Sequence, residues 1–210
     1  MNMEIVTVPS YWGTPMQQKH ITVQGQTNKL VVLFPGRGYS CELPLLYYAG
    51  NAALQHNHSV LKLEYGYQAA RASFDLQDLS KVIDECTESV LQVSPNYDQL
   101  LFISKSMGTI VAGEVHRRMQ QKVNHIFLTP LVETIPYINA SDRVVIYGGM
   151  DPAFPSEAAK QIEYSENVIE IPRADHGLET GDVEENLAIL KRIAGVYQDV
   201  LARIRIERGI

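Results

Sequence analysis

The sequence predicts an α/β fold, a doubly wound and mostly parallel sheet with helices on both faces. Short, continuously apolar runs recur along its 210 residues, as in strands buried on both faces of a parallel sheet. Between them lie stretches whose apolar residues recur every three or four positions, the period of an amphipathic helix. Strands that alternate with helices in this way indicate parallel pairing. No repeat or change of composition divides the chain, so a single domain over residues 1–210 is expected.

The strand predictions follow the apolar runs. The run at residues 30–34, which ends at Pro35-Gly36, is the clearest example. Two earlier segments, 5–8 and 20–23, predict an antiparallel edge. The remaining predicted strands are 59–63, 99–103, 125–128, 143–147 and 168–171.

Three apolar stripes predict the longer helices. They are Leu76, Leu79, Val82, Ile83, Cys86, Val90, Leu91; Met107, Ile110, Val111, Val115, Met119; and Val183, Leu187, Leu190, Ala194, Tyr197, Leu201, Ile204. Asp182, with Glu185 three positions later, resembles a capping box before the last stripe. Residues 43–55 and 156–164 predict shorter helices.

The charge pattern argues against polyanionic partners. The net charge is −6, the 18 Lys and Arg are scattered, and the longest basic run is Arg117-Arg118. An acidic surface repels phosphate polymers and anionic membranes, so neither nucleic acid nor a membrane is expected as a partner. A small molecule is the expected ligand.

Cysteine usage and the first residues favour the cytoplasm. Cys41 and Cys86 are far apart and lack a CxxC spacing, so neither a metal site nor a disulfide is expected. Residues 1–5 do not resemble a signal peptide, and no window approaches 18 apolar residues. No cofactor is expected.

A serine with small neighbours follows the predicted strand at 99–103. The segment is Ser104-Lys105-Ser106-Met107-Gly108, and a helix is predicted to begin at once. This is the context of a nucleophile elbow, whose tight turn needs small residues on either side of the serine. The alternative is that Ser106 only caps the helix, which serine favours anyway. Taken alone, the two interpretations carry equal weight.

The ends of the last two predicted strands favour the nucleophile. Asp151 lies in the loop after residues 143–147, and His176 lies in an Asp-His-Gly loop after residues 168–171. The order Ser, Asp, His is that of triads in this kind of sheet, in which a neutral imidazole takes the serine proton and a carboxylate orients the imidazole. Separately, Asp151 could open a turn and His176 could be an ordinary loop residue. Asp175 is the competing acid.

The loop after residues 30–34 predicts an oxyanion-binding site. Its glycine-rich segment can direct backbone N–H groups at a developing negative charge, together with the N–H of Met107. Arg37 is the first candidate for the second donor, and Gly38 is the next.

The same loop allows a dinucleotide-binding interpretation, because Gly36 and Gly38 follow a strand and Glu64 ends the next one. Cys41 stands where the third glycine would be, and Pro44 delays the helix. This alternative is therefore disfavoured.

The Ser-x-Ser-x-Gly elbow, the Gly-Gly-Met-Asp loop and the Asp-His-Gly loop together resemble the α/β-hydrolase superfamily, over about 85% of the chain, and are closest to its small lidless, dienelactone-hydrolase-like members. Dienelactone hydrolases use a cysteine nucleophile, whereas the elbow here carries Ser106. Ser104 replaces the first glycine of the elbow, and Pro35 stands where many relatives have histidine. The resemblance implies a serine hydrolase with Ser106, Asp151 and His176 as its triad.

Residues 129–142, between two predicted strands, are too few for the cap domain that larger members insert there. An open or shallow pocket is therefore expected. Its predicted walls are Arg37, Tyr39, Tyr65, Tyr67, Leu131, Ile135 and Leu178, with Tyr39, Tyr65, Leu131 and Leu178 as substrate-binding residues. Arg37 and Lys105 either attract an anionic substrate or, as we favour, are solvated surface charges.

The leading hypothesis is hydrolysis of a small carboxylic ester or thioester through an acyl-enzyme on Ser106. The alternative is a ligand-binding or signalling protein that keeps a hydrolase scaffold and turns over slowly.

Overall fold

Strands and helices alternate along residues 1–25 and 27–203, the part of the chain that the computed structural model describes. Its strands are β1 (Asn2–Val8), β2 (Met16–Thr22), β3 (Lys29–Phe34), β4 (Ser59–Lys62), β5 (Gln99–Lys105), β6 (Val123–Leu128), β7 (Asp142–Gly148) and β8 (Val168–Ile171). Its α-helices are α1 (Pro44–Gln55), α2 (Gly66–Ala69), α3 (Leu79–Val93), α4 (Met107–Arg117), α5 (Ile135–Asn139), α6 (Ser156–Ala159) and α7 (Val183–Arg203).

The strands form one sheet in the order β1-β2-β4-β3-β5-β6-β7-β8. β1 and β2 make an antiparallel edge, and β2 also pairs antiparallel with β4. All strands from β3 to β8 pair in parallel. The predicted mostly parallel sheet is therefore confirmed, and each predicted strand is present. The elbow residues Ser104 and Lys105 belong to β5 itself rather than to the loop after it.

Helices cover both faces of the sheet. α1 packs on α7, and α3 packs on α4. Successive residues of β3 alternate between the two layers: Val31 and Leu33 join one core cluster, and Leu30 and Val32 join the other. Because both faces are covered, the strand is apolar throughout, which is why it was recognisable from sequence.

The buried face of α7 differs from the predicted stripe. Its buried residues are Ile189, Ile193, Tyr197 and Leu201, whereas Val183 and Leu187 are exposed. The observed orientation buries Ile193 rather than its neighbour Ala194, and a larger side chain removes more apolar area from water. Ile204, the last residue of the predicted stripe, lies outside the described residues.

The helix predicted over 156–164 ends at Ala159. The side chain of Asn139, in α5, donates to the carbonyl of Gln161 and accepts from the N–H of Glu163. These backbone groups are therefore bonded outside the helix, which stops it early.

The predicted capping box before α7 is half formed. The Asp182 carboxylate accepts the N–H of Glu185 at 2.8 Å, while the Glu185 carboxylate pairs with Arg173 and Thr180 instead.

Within the ranges described, no helix is long and apolar enough to cross a membrane.

A buried histidine couples the fold to pH. His125 lies in β6 with its ring stacked on Phe127, and its Nε2 is 2.9 Å from Nδ1 of His116. Burial, and secondarily His116, lowers the pKa of His125 from 6.5 to about 3. Below pH 6.5 His125 is therefore protonated in the unfolded chain, whereas in the folded chain it stays neutral until the pH approaches about 3. The contribution of His125 to the free energy of unfolding therefore decreases as the pH decreases from 6.5 towards about 3.

We expect His125→Phe to weaken this acid sensitivity, because phenylalanine fills a similar volume and takes up no proton. Between about pH 6 and pH 4 the slope of the unfolding free energy against pH should decrease by up to about 1.4 kcal/mol per pH unit. Urea denaturation at a series of pH values measures both slopes. Identical slopes would show that His125 does not contribute.

Candidate active site

Ser106 occupies a strained turn between β5 and α4. Its φ of 53° and ψ of −124° are unfavourable for a residue with a side chain and cost about 1–3 kcal/mol. Hydrogen bonds on either side hold the turn: the Ser106 N–H donates to the Leu128 carbonyl at 3.0 Å, and the Ser106 carbonyl accepts the Thr109 N–H at 2.8 Å. The serine is partly accessible to solvent.

Small residues around the serine are required by a close approach of backbones. A Cβ on Gly108 would lie 2.7 Å from the Phe34 carbonyl oxygen and closer still to that of Pro35. On the other side, Ser104 is fully buried, and its hydroxyl lies 3.5 Å from the carbonyl oxygen of Ile126 on β6. A serine therefore fits where the usual pattern has glycine.

Asp151 follows β7, and its side chain is fully buried. One carboxylate oxygen accepts the Ala153 N–H at 2.8 Å, and the other lies 2.7 Å from Nδ1 of His176. Both oxygens are thus engaged, which fixes the carboxylate plane against the imidazole.

His176 links Asp151 to Ser106 in a hydrogen-bonded series. Its Nε2 lies 2.8 Å from Oγ of Ser106, and its side chain is 33% exposed. With Nδ1–H donating to the carboxylate, Nε2 is left as the acceptor for the serine hydroxyl. The loops after β7 and β8 are also in close contact, because a Cβ on Gly148 would collide with the carbonyl oxygens of Ala174 and Asp175. The structure thus brings the three predicted residues together.

The competing acid, Asp175, forms hydrogen bonds within its own loop. Its exposed carboxylate accepts the N–H groups of Gly177 at 2.7 Å and Glu179 at 3.1 Å. Asp151, rather than Asp175, is the acid hydrogen-bonded to His176.

The loop after β3 forms a tight turn beside the serine. Gly36 and Tyr39 bond to each other through their N–H and carbonyl groups, which leaves Arg37 and Gly38 at the exposed tip. Met107 opens α4, so its N–H has no carbonyl one turn earlier to bond. We call residues 36–39 the oxyanion turn, after the role that the sequence predicts for them. The arrangement is compatible with the predicted donors, which remain a prediction.

Tyr65 was predicted to line the pocket, and this is wrong. It is fully buried, and its hydroxyl donates to the Pro35 carbonyl at 2.6 Å. Tyr67 donates to the Arg37 carbonyl at 2.8 Å, and the amide of Gln68 lies 3.3 Å from the Gly36 carbonyl. These side chains thus bind carbonyl groups in the oxyanion turn and at the residue before it. Sequence reasoning missed this role because only their position after β4 signals it.

The other predicted pocket walls divide into two groups. The prediction that Leu178 lines the pocket is wrong, because this residue is 2% exposed and packs in the core cluster with Ile171. Its backbone has a left-handed φ of 62°. Ile135 is likewise largely buried. Tyr39 and Leu131 are partly exposed and stay predictions.

Cys41 is a structural residue. It is 5% exposed, and its thiol lies 3.3 Å from the Leu63 carbonyl oxygen. Burial raises the pKa of this thiol to about 12, so it stays protonated at neutral pH.

Lys105 is not the solvated surface charge that was favoured from sequence. It is 3% exposed, and Nζ donates to the Thr129 hydroxyl and to the His176 carbonyl, both at 2.9 Å. Its position at the end of a strand buried on both faces was the only sequence signal of burial. Arg37, in contrast, is exposed as expected.

No family model and no curated protein matches the sequence, whereas solved structures match its fold. An α/β serine hydrolase without a lid from Xanthomonas campestris aligns with a TM-score of 0.71 at 16% identity, over 97% of this chain and 95% of that one. An α/β serine hydrolase homologue from Coxiella burnetii gives 0.71 at 12% identity, over 96% and 98%. An esterase from Pyrococcus furiosus gives 0.71 at 13% identity, over 96% and 92%.

The chain has the α/β-hydrolase fold. The predicted absence of a cap domain is part of this result. Between β6 and β7, where every residue is described, the chain forms only a 3-10 turn (Val132–Thr134) and α5.

Within this α/β-hydrolase fold, Gly108→Ala tests the close approach at the elbow. The added methyl group meets backbone atoms that cannot move aside, so we expect a loss of about 1–3 kcal/mol of unfolding free energy. Gly195→Ala is the control: it lies in α7 with nothing within 4 Å of the new Cβ, and should stabilise by up to about 1 kcal/mol. Chemical denaturation measures both, and equal effects of the two variants would contradict the packing argument.

Proposed function

We propose that the protein is a serine hydrolase that cleaves a carboxylic ester or thioester of a small molecule through an acyl-enzyme on Ser106. The observation that carries the proposal is the hydrogen-bonded series from Ser106 through His176 to the buried Asp151. A strained, partly accessible serine with a neutral imidazole as its acceptor is the arrangement that activates a hydroxyl for attack.

The reaction begins when Nε2 of His176 takes the proton of Ser106 as Oγ attacks the carbonyl carbon. Asp151 stabilises the imidazolium that forms. The oxyanion is bound by the N–H of Met107 and by an N–H from Arg37 or Gly38 in the oxyanion turn. His176 then protonates the departing alcohol or thiol, which leaves an acyl group on Ser106. His176 then takes a proton from a water molecule that attacks the acyl carbon, and returns it to Oγ of Ser106 as the bond to the serine breaks and the acid is released.

The surroundings of the serine favour a small substrate. Because only a turn and a short helix separate β6 from β7, no domain closes over the cleft from that side. An open site of this kind suits a short acyl group, which has little apolar surface to remove from water.

Labelling with a fluorophosphonate probe tests the nucleophile. We expect wild-type protein to be labelled and Ser106→Ala to be unlabelled, since the probe needs the activated hydroxyl. p-Nitrophenyl esters of increasing acyl length, with a matched thioester, then identify the preferred class. Labelling that survives in Ser106→Ala would refute the assignment, and labelling without turnover would favour a ligand-binding protein on a hydrolase scaffold.

The role of the acid is tested by comparing two substitutions. Asp151→Asn should lower kcat/KM by on the order of 10³–10⁴-fold, because the amide no longer holds the correct imidazole tautomer. Asp175→Asn should leave kcat/KM within a few fold, since an amide oxygen can still accept the N–H groups of Gly177 and Glu179. Ester hydrolysis measures both, and comparable losses would contradict the assignment.

A further inference from the structure

A buried lysine lies directly before the serine. Lys105 is 3% exposed, and among the residues that the structure describes no carboxylate is in ion-pair contact with its Nζ. A charged side chain is seldom buried in this way, because removal from water is costly. Burial lowers the pKa of Lys105 to about 8, opposed by the more distant charges of Asp151, Asp175 and Glu179.

The contacts of the ammonium group join several loops. Nζ donates to the Thr129 hydroxyl, just after β6, and to the carbonyl oxygen of His176, after β8, at 2.9 Å in each case. It also lies 5.0 Å from the ring centre of Tyr39 in the oxyanion turn. One cation thus contacts three of the loops that surround Ser106.

The partners of Nζ are themselves fixed. Thr129 is fully buried, has a left-handed φ of 41°, and its N–H donates to the Ile146 carbonyl on β7 at 2.7 Å. The hydroxyl is therefore a rigid anchor for the amine. The second bond connects this anchor to the main chain of His176, whose side chain is held at Nδ1 and Nε2 only.

We propose that Lys105 is a positioning residue, whose ammonium group holds the main chain of His176 so that the imidazole stays between Ser106 and Asp151. This inference rests on the proposed hydrolase function. The fold does not require a charged side chain at position 105. An uncharged side chain of similar length can fill a buried site without the free-energy cost of removing a charge from water. The amine supplies a directed link from a rigid strand end to the loop that carries the base.

The variants Lys105→Met and Thr129→Val test the proposal. Methionine keeps the approximate length of the side chain without its donors, and valine removes the anchoring hydroxyl at constant shape. Thr129→Ser is the matched control, because it keeps the hydroxyl. Circular dichroism melting shows which variants fold.

Two measurements report on the position of the His176 imidazole. The first is the low-field proton resonance of its Nδ1–H, assigned by its absence in His176→Gln. The second is the rate of fluorophosphonate labelling as a function of probe concentration. We expect Lys105→Met to broaden or lose the resonance and to lower the limiting labelling rate by about 10- to 100-fold, with little change in the half-saturating concentration. Thr129→Val should show a smaller loss, and Thr129→Ser should match the wild type.

Folded Lys105→Met with the wild-type resonance and labelling rate would overturn the proposal, as would a variant that loses only thermal stability. If Lys105→Met does not fold, the threonine pair decides: equal labelling rates and resonances for Thr129→Val and Thr129→Ser would overturn it. Wild-type protein that no probe labels would refute the hydrolase function instead, and the resonance would then decide the role of Lys105.

Discussion

At Ser106 the chain leaves a strand and enters a helix within one residue, in a backbone conformation that an L-amino acid adopts only under constraint. The constraint comes from the close approach of β3 at Gly108 and from the hydrogen bond to Leu128 on β6. The rest of the site is arranged around this turn. The imidazole of His176 can meet the hydroxyl because the turn directs it out of the sheet edge, towards the loops that follow β7 and β8.

The strands and the three residues of the series were predictable because local chemistry determines them. A strand covered on both faces must be apolar, and the polar residues at the ends of parallel strands meet at one edge of the sheet. The errors have a different origin. Tyr65 and Leu178 are as apolar as a pocket wall should be, and only the packing of distant segments buries them. The early end of α6 depends on Asn139, a side chain from another element.

The burial of a charged residue, Lys105, also depends on distant segments and could not be predicted from the local sequence. From sequence, a lysine between two serines is most simply solvated, and the buried alternative requires acceptors from two loops far along the chain. Its cation and the more distant carboxylate of Asp151 are both buried, and electrostatic effects are stronger between buried charges than at the surface. The site therefore combines one buried anion with one buried cation around a partly exposed imidazole.

Main-chain groups form much of the framework around the site. The loops after β7 and β8 are joined through bonds such as that from the Met150 N–H to the Ala174 carbonyl, and the oxyanion turn is closed by its own backbone. Any residue but proline supplies these N–H groups, so such bonds place few demands on the identity of the side chains in the loops. A shared fold at a TM-score of 0.71 with only 12–16% identity is what such a framework permits. One course of the backbone is consequently compatible with very different residues.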